Sequence, residues 1–130
     1  MPGNAKILEG VIVYVIDDDE AVRDSLAAVL ETHGATIIAL RGAREARNTS
    51  VNDHRSVLLI DVNLGDGKGP DLLAELRRKG VKAAAILMTG KIDSRVQAVA
   101  SHLQVLLVEK PVDGDDVALR MAAMMGPGHG

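Results

Sequence analysis

Val11-Ile-Val-Tyr-Val-Ile16 runs without a break into Asp17-Asp18-Asp19-Glu20. A continuous apolar run of this length is what a strand buried on both faces requires, and such strands belong to parallel sheets covered by helices. The acids stop the strand abruptly. Val22, Leu26, Val29 and Leu30 then repeat at helical spacing until Gly34, a residue suited to ending a helix.

The same alternation continues along the chain. Thr36 to Leu40 is predicted as a second strand, and Ala43 to about Asn48 as a weak, short helix. Val57 to Val62 is a third strand, apolar except for Asp61 near its end. A glycine-rich loop, Gly65 to Gly69, leads to a helix from Pro70 to Lys79, with proline at a favoured first position. Ala83 to Met88 is a fourth strand, Ser94 to about His102 a helix, and Val105 to Val108 a fifth strand. Asp113 to Met125 is the last helix, with Val117, Met121 and Met124 on one stripe, and the closing Gly-Pro-Gly-His-Gly reads as a frayed tail.

Five strands alternating with five helices predict an α/β fold, a doubly wound parallel sheet. Right-handed crossovers favour the flavodoxin-like strand order 2-1-3-4-5. The 130 residues suit one domain over 1–130, with a core from about 10 to 125. Tyr14 is the sole aromatic residue, so the core must be aliphatic, and ring-stacking sites for flavin or single-stranded nucleic acid are disfavoured. The chain has no cysteine, which excludes disulfides and thiol chemistry and suits a reducing compartment such as the cytoplasm. A net charge of −3 offers no basic field for direct DNA binding or for an anionic membrane. No apolar stretch is long enough to span a bilayer. The N-terminal apolar run is interrupted by Glu9 and ends in aspartates, unlike a signal peptide.

In open parallel sheets ligands bind outside the carboxyl ends of the strands. Those ends carry Asp17 and Asp18 (with Asp19), Asp61, Thr89 and Lys110. The first and third strands are neighbours in the expected order, so Asp17, Asp18 and Asp61 should share one crevice. Carboxylates that close repel each other, and a hard divalent cation with oxygen ligands is the natural compensation. Lys110 adds a fixed positive charge. Such a site suits phosphoryl transfer: cation and lysine neutralise the equatorial oxygens while a carboxylate attacks in line. Asp61 is the best nucleophile, and Thr89 supplies a hydroxyl for a phosphoryl oxygen.

Each feature alone has a plainer reading. Asp18 or Asp19 suffices as a cap for the first helix. Asp61 alone is a solvated loop acid, Thr89-Gly90 a strand-to-turn transition, and Lys110-Pro111 an ordinary turn. Their joint placement at one end of the sheet favours function.

With these residues placed, the chain resembles the receiver-domain family of two-component signalling, chemotaxis-regulator-like in its fold, over nearly its whole length. Val15 to Arg23 resembles the family's acidic pair and first helix, and Leu58 to Leu64 its phosphoacceptor strand. Met88-Thr-Gly90 resembles the switch segment, and Val108-Glu-Lys-Pro111 the lysine-proline turn.

The resemblance implies a response regulator's phosphoprotein module rather than an enzyme, limited to self-phosphorylation from small donors and auto-dephosphorylation. Asp61 would take a phosphoryl group from a phosphohistidine on a histidine kinase or histidine phosphotransfer protein. Asp17, Asp18, Asp61 and the backbone carbonyl of Asn63 would hold Mg2+ (or Mn2+), with Asp18 the more direct ligand of the acidic pair. The Asn63 side chain would lie near the water that hydrolyses the acyl phosphate, with Lys91 opposite it at the site mouth. Lys110-Pro111 would be cis. Phosphorylation would draw Thr89 and Lys110 inward and shift the surface of the last helix and fifth strand, a region also suited to homodimer formation.

Three departures stand out. Leu107 occupies a position usually aromatic, so coupling to a partner is expected to be weaker or differently wired. Gly65 replaces a usual proline, and its loop is expected to be mobile. No DNA-binding or enzymatic module follows, which implies a stand-alone receiver or one excised from a larger regulator or hybrid histidine kinase.

The main alternative is a Mg-dependent haloacid-dehalogenase-like phosphatase, with Asp17-Asp18-Asp19 as its Asp-x-Asp motif. Ala21 and the lack of length for a cap count against it, and Asp61 stays unexplained. A phosphate cradle is excluded because aspartates, not glycines, follow the first strand. Gly67-Lys68 lacks P-loop spacing, and Leu72 stands where an EF-hand needs a glutamate. His33, His54, His102 and His129 read as isolated surface or helix-end residues. Met121, Met124 and Met125 read as core packing, with a dimer face as the alternative.

Overall fold

The computed structural model describes residues 6–126. Five parallel strands form the main sheet: β1 (Ile12–Ile16), β2 (Thr36–Leu40), β3 (Ser56–Asp61), β6 (Ala84–Thr89) and β7 (Leu106–Glu109). Two short strands between them, β4 (Asn63–Leu64) and β5 (Gly67–Lys68), pair antiparallel as a separate hairpin. The main sheet runs β2-β1-β3-β6-β7. With the hairpin set aside this is the expected order 2-1-3-4-5.

The helices are α1 (Glu20–Thr32), α2 (Ala43–Arg47), α3 (Gly69–Arg78), α4 (Ser94–Leu103) and α5 (Gly114–Met125). Local chemistry sets their starts. The carboxylates of Asp19, Asp93 and Asp113 cap α1, α4 and α5 by accepting from free N–H groups of the first turn. Pro70 lies in the first turn of α3, where a missing N–H costs nothing. Gly34, at φ +95°, turns the chain out of α1.

The sheet is buried on both faces, as its apolar runs require. Tyr14, Ile16, Leu58, Ile60 and Leu87 face α2, α3 and α4, through Ala46, Leu72, Leu73, Leu76 and Ala100. Val13, Val15, Val57, Leu59 and Met88 face α1 and α5, through Leu26, Leu30, Val117 and Met121. Full burial of one such leucine contributes about 1.5–3 kcal/mol. The Tyr14 hydroxyl accepts from Asn52 N at 2.8 Å, so the one aromatic ring is buried with its polar atom satisfied.

Several expectations need correction. The segment 65–69 is not a free loop. Gly67 pairs with Leu64 in the hairpin, and Gly69 is a buried first-turn residue of α3. A Cβ at Gly69 would overlap the Asp61 carbonyl oxygen, so this glycine permits close packing and does not signal mobility. Met124 does not join Met121 in the core but is 39% exposed, because the buried face of α5 runs on through Ala122 and Met125. His33 is not isolated: it ends α1, and its Nε2 lies 2.7 Å from Asp115 Oδ1 of α5. His129, in the closing tail, lies outside the described residues. Among the described residues no helix is long and apolar enough to cross a membrane.

Candidate phosphoacceptor site

The pairing of β1 with β3 places Ile16 beside Ile60, so the next residues, Asp17 and Asp61, emerge side by side at the carboxyl edge. Asp17 is fully buried and Asp61 is 7% exposed. Asp18 follows in the exposed turn before α1. Each of the three carboxylates offers an oxygen, and these oxygens all lie within 4.8 Å of one another.

Lys110 reaches in from the end of β7. Its Nζ is 2.8 Å from Asp61 Oδ2 and 2.8 Å from Asp17 Oδ2. The contact with Asp61 is a directed hydrogen bond. Asp17 Oδ2 is buried and, despite the nearby ammonium, accepts no directed hydrogen bond. The remaining oxygens have backbone donors: Asp17 Oδ1 accepts from Asp19 N at 2.9 Å, and Asp61 Oδ1 from Asn63 N at 3.0 Å. Lys110-Pro111 is cis.

These surroundings set the proton affinities. Burial raises the Asp61 carboxyl above its ordinary range. Lys110 and the Asn63 N–H pull it back, the Asp17 charge pushes it up again, and the net shift is upward. Burial lowers the Lys110 ammonium, but the two carboxylates of Asp17 and Asp61 beside it outweigh that, and the net shift is also upward. Lys110 thus stays charged, one cation against three carboxylates.

That imbalance and the orphaned buried oxygen of Asp17 fit a divalent cation. Gly65 adds to the fit, because a Cβ there would stand 3.2 Å from Asp18 Oδ2 and crowd the open side. The donor set is all oxygen, as Mg2+ or Mn2+ requires.

The other expected residues lie close by. Thr89 is buried, and its hydroxyl is held in its own turn, donating to Lys91 O at 3.0 Å. Asn63, Thr89 and Lys91 line one cleft of 740 Å³ next to the end of β3. Leu107 pairs with Leu87 and is half-buried against the α2–α4 side of the core.

Three contributors were not identified from sequence. Arg23 Nη1 donates to Asp17 O at 2.8 Å and ties α1 to the end of β1. Lys68 Nζ donates to Asn63 Oδ1 at 2.6 Å. Asp66 clamps α2 by accepting from Ala43 N at 2.8 Å and Arg44 N at 3.0 Å. Only the helical spacing of Arg23 carried a local signal. Lys68 pairs across a hairpin whose strands are too short to show periodicity, and Asp66 reaches α2 from the turn of that hairpin.

A family model described as a response regulator receiver domain matches residues 13–122. The transcriptional regulatory protein FixJ of Azorhizobium caulinodans is 34% identical over 119 residues, covering 91% of this chain and 56% of that protein. Nodulation protein W of Bradyrhizobium diazoefficiens is 32% identical over 91 residues, covering 70% of this chain and 40% of that protein. The chain therefore spans about half the length of these relatives. Among solved structures, a CheY-like receiver domain from Methanospirillum hungatei JF-1 matches with a TM-score of 0.79 at 21% identity, covering 88% of this chain and 93% of that one. The FixJ-N crystal structure matches with a TM-score of 0.73 at 24% identity, covering 93% and 99%. These likenesses carry the fold. The comparisons lend no support to the phosphatase alternative.

Proposed function

This chain belongs to the response regulator receiver domain family, and from that premise we propose that Asp61 accepts a phosphoryl group in a Mg2+-dependent reaction and signals by a conformational shift. Receiver domains are signalling phosphoacceptors, not turnover enzymes. The observation that carries the assignment to Asp61 is its shared counterion: Lys110 stands 2.8 Å from both Asp61 and Asp17 at the ends of adjacent strands.

Asp61 is the attacking group because it ends a central strand and keeps partial access to solvent, whereas Asp17 is sealed. Its oxygen would form the new bond to phosphorus as the bond to the donor's imidazole nitrogen breaks. The donor is a phosphohistidine on a histidine kinase or a histidine phosphotransfer protein. Asp17, Asp18 and Asp61, with the Asn63 carbonyl, would hold Mg2+ or Mn2+, which when bound supplies neutralising charge for the phosphoryl oxygens. Lys110 offers an ammonium already directed at the acceptor.

Thr89 would leave its contact with Lys91 to donate to a phosphoryl oxygen. That movement, with the one of Lys110, would alter the surface of α5 and β7, where an output partner or a second copy would bind. Leu107 cannot act as a rotating ring, so the shift would be read through backbone and aliphatic packing. The chemistry is the same for a stand-alone receiver in the cytoplasm and for one inside a larger regulator or hybrid histidine kinase.

Intact mass after acetyl phosphate treatment tests the reading. One phosphoryl adduct is expected with Mg2+, none with chelator, and none in Asp61→Asn. An undiminished adduct in Asp61→Asn would move the acceptor elsewhere.

A further inference from the structure

The hairpin β4–β5 sets Asn63 directly opposite Lys68. Lys68 Nζ donates to Asn63 Oδ1 at 2.6 Å, a charge-assisted bond across the hairpin. An ammonium has three donors and no acceptor, so it fixes which end of the amide faces it. The Asn63 carbonyl is committed to Lys68, and its NH2 group takes the remaining directions. The same residue donates its backbone N–H to Asp61 Oδ1 at 3.0 Å. Asn63, Lys68 and Thr89 line the 740 Å³ cleft beside the acceptor, while Lys110 is not part of that lining.

We propose that Lys68 is a positioning residue that prolongs the life of the phosphoryl group on Asp61 by occupying the amide oxygen of Asn63. The proposal rests on Asp61 being the acceptor. Loss of the group is hydrolysis. Water oxygen bonds to phosphorus, the P–O bond to Asp61 breaks, and its electron pair stays on the carboxylate. The products are the carboxylate, hydrogen phosphate and one released proton.

Water entering from the cleft must direct a hydrogen at an acceptor as it attacks. Asn63 carries the neutral side-chain acceptor nearest in sequence to Asp61 among the residues lining the cleft. With an ammonium 2.6 Å away, that oxygen has one lone pair filled and its charge drawn toward Lys68. The remaining lone pair is a weaker acceptor, and the NH2 group is a donor that cannot take a hydrogen from attacking water.

The test compares wild type, Lys68→Met, Asn63→Ala and the double variant. Each is phosphorylated with acetyl phosphate and Mg2+, the donor is removed, and the surviving adduct is followed by intact mass. Methionine keeps an unbranched stem and removes the donors. Lys68→Met is expected to shorten the half-life roughly three- to tenfold, the range of one hydrogen bond, and Lys68→Arg, which still donates, to restore most of it. In the Asn63→Ala background the Lys68 substitution is expected to change nothing.

Equal half-lives in wild type and Lys68→Met would overturn the proposal. So would an equal change in the Asn63→Ala background, which would make Lys68 a direct charge on the phosphoryl group. The Asn63 side-chain amide resonances, read by NMR without donor, are expected to move in Lys68→Met, and their constancy would also overturn it. Failure of the wild type itself to gain an adduct would instead remove the Asp61 reading and the lifetime proposal with it, while the amide resonances still reported the hydrogen bond.

Discussion

Gly69 packs against Asp61 so closely that a Cβ on it would overlap the Asp61 carbonyl oxygen and stand 2.9 Å from Ile60 Cγ2. The start of α3 is thus built onto the end of the strand that presents Asp61. Gly69 N also donates to Val62 O at 2.8 Å, closing the hairpin segment back on the residue that follows β3. Gly69→Ala is therefore expected to destabilise the protein by about 1–3 kcal/mol, the cost of overpacking a close-packed contact. It should also slow labelling by acetyl phosphate more than a remote variant of equal stability does. Denaturant unfolding and the labelling rate, measured together, check this; wild-type stability in Gly69→Ala would mean that the helix shifts freely.

Asp61 itself is expected to cost stability. Burial raises the Asp61 carboxyl above its ordinary value of 3.8, so ionising it is harder in the folded chain than in the unfolded one. Its favourable contribution is complete below that ordinary value and is lost as pH rises through the folded value. At neutral pH, without divalent cations, Asp61→Asn should be more stable than wild type by about 0.5–2 kcal/mol. The difference should shrink as the pH is taken below 3.8. Urea midpoints in chelator across this range read the sign directly, and a less stable Asp61→Asn at neutral pH would contradict the argument.

Much of this was legible in the chain because burial on both faces writes itself as uninterrupted apolar runs. Val11–Ile16 and Val57–Ile60 needed no periodicity to be recognised, and the aspartate ending each run lies in the carboxylate cluster. The hairpin was not legible. Asn63–Leu64 and Gly67–Lys68 are two-residue strands, too short for alternation, and glycines at 65, 67 and 69 suggested freedom where one provides close packing. The contacts of Lys68 and Asp66 depend on that hairpin, so they were hidden with it. The His33–Asp115 pair joins residues 82 positions apart in sequence and carries no local pattern at all.

Lys110 Nζ sits against Asp17 Oδ2 and Asp61 Oδ2, so a divalent cation held by these carboxylates would compete with it. Lys110→Ala removes the cation closest to both, which leaves the buried Asp17 carboxylate without charge compensation. The cation-free variant should lose about 1–3 kcal/mol of stability. Its affinity for Mg2+ should rise, on the order of tenfold, because an unopposed carboxylate cluster attracts the ion more strongly. Calorimetric titration of both proteins with Mg2+ measures this, and weaker binding by the variant would show that Lys110 organises the ligands instead of competing with the ion.

The clamp between the hairpin and α2 should give the protein an acid-sensitive limb separate from Asp61. Hydrogen bonds from the backbone N–H groups of Arg44 and Ala43 hold the Asp66 carboxyl below its ordinary value of 3.8. Its stabilising contribution is therefore present above that value and is lost as pH falls through the lowered folded value. Gly42 belongs to the device, since a Cβ there would stand 2.6 Å from Asp66 Oδ1. Asp66→Ala should be less stable than wild type at neutral pH, and the two should converge in strong acid. The same substitution should loosen Asn63 and Lys68 on the neighbouring strands, so its phosphoryl group should be lost faster at neutral pH. Unfolding curves against pH, paired with the decay of the intact-mass adduct, test both effects. A stability difference unchanged from neutral pH down into strong acid would show that the carboxylate contributes packing and no charge.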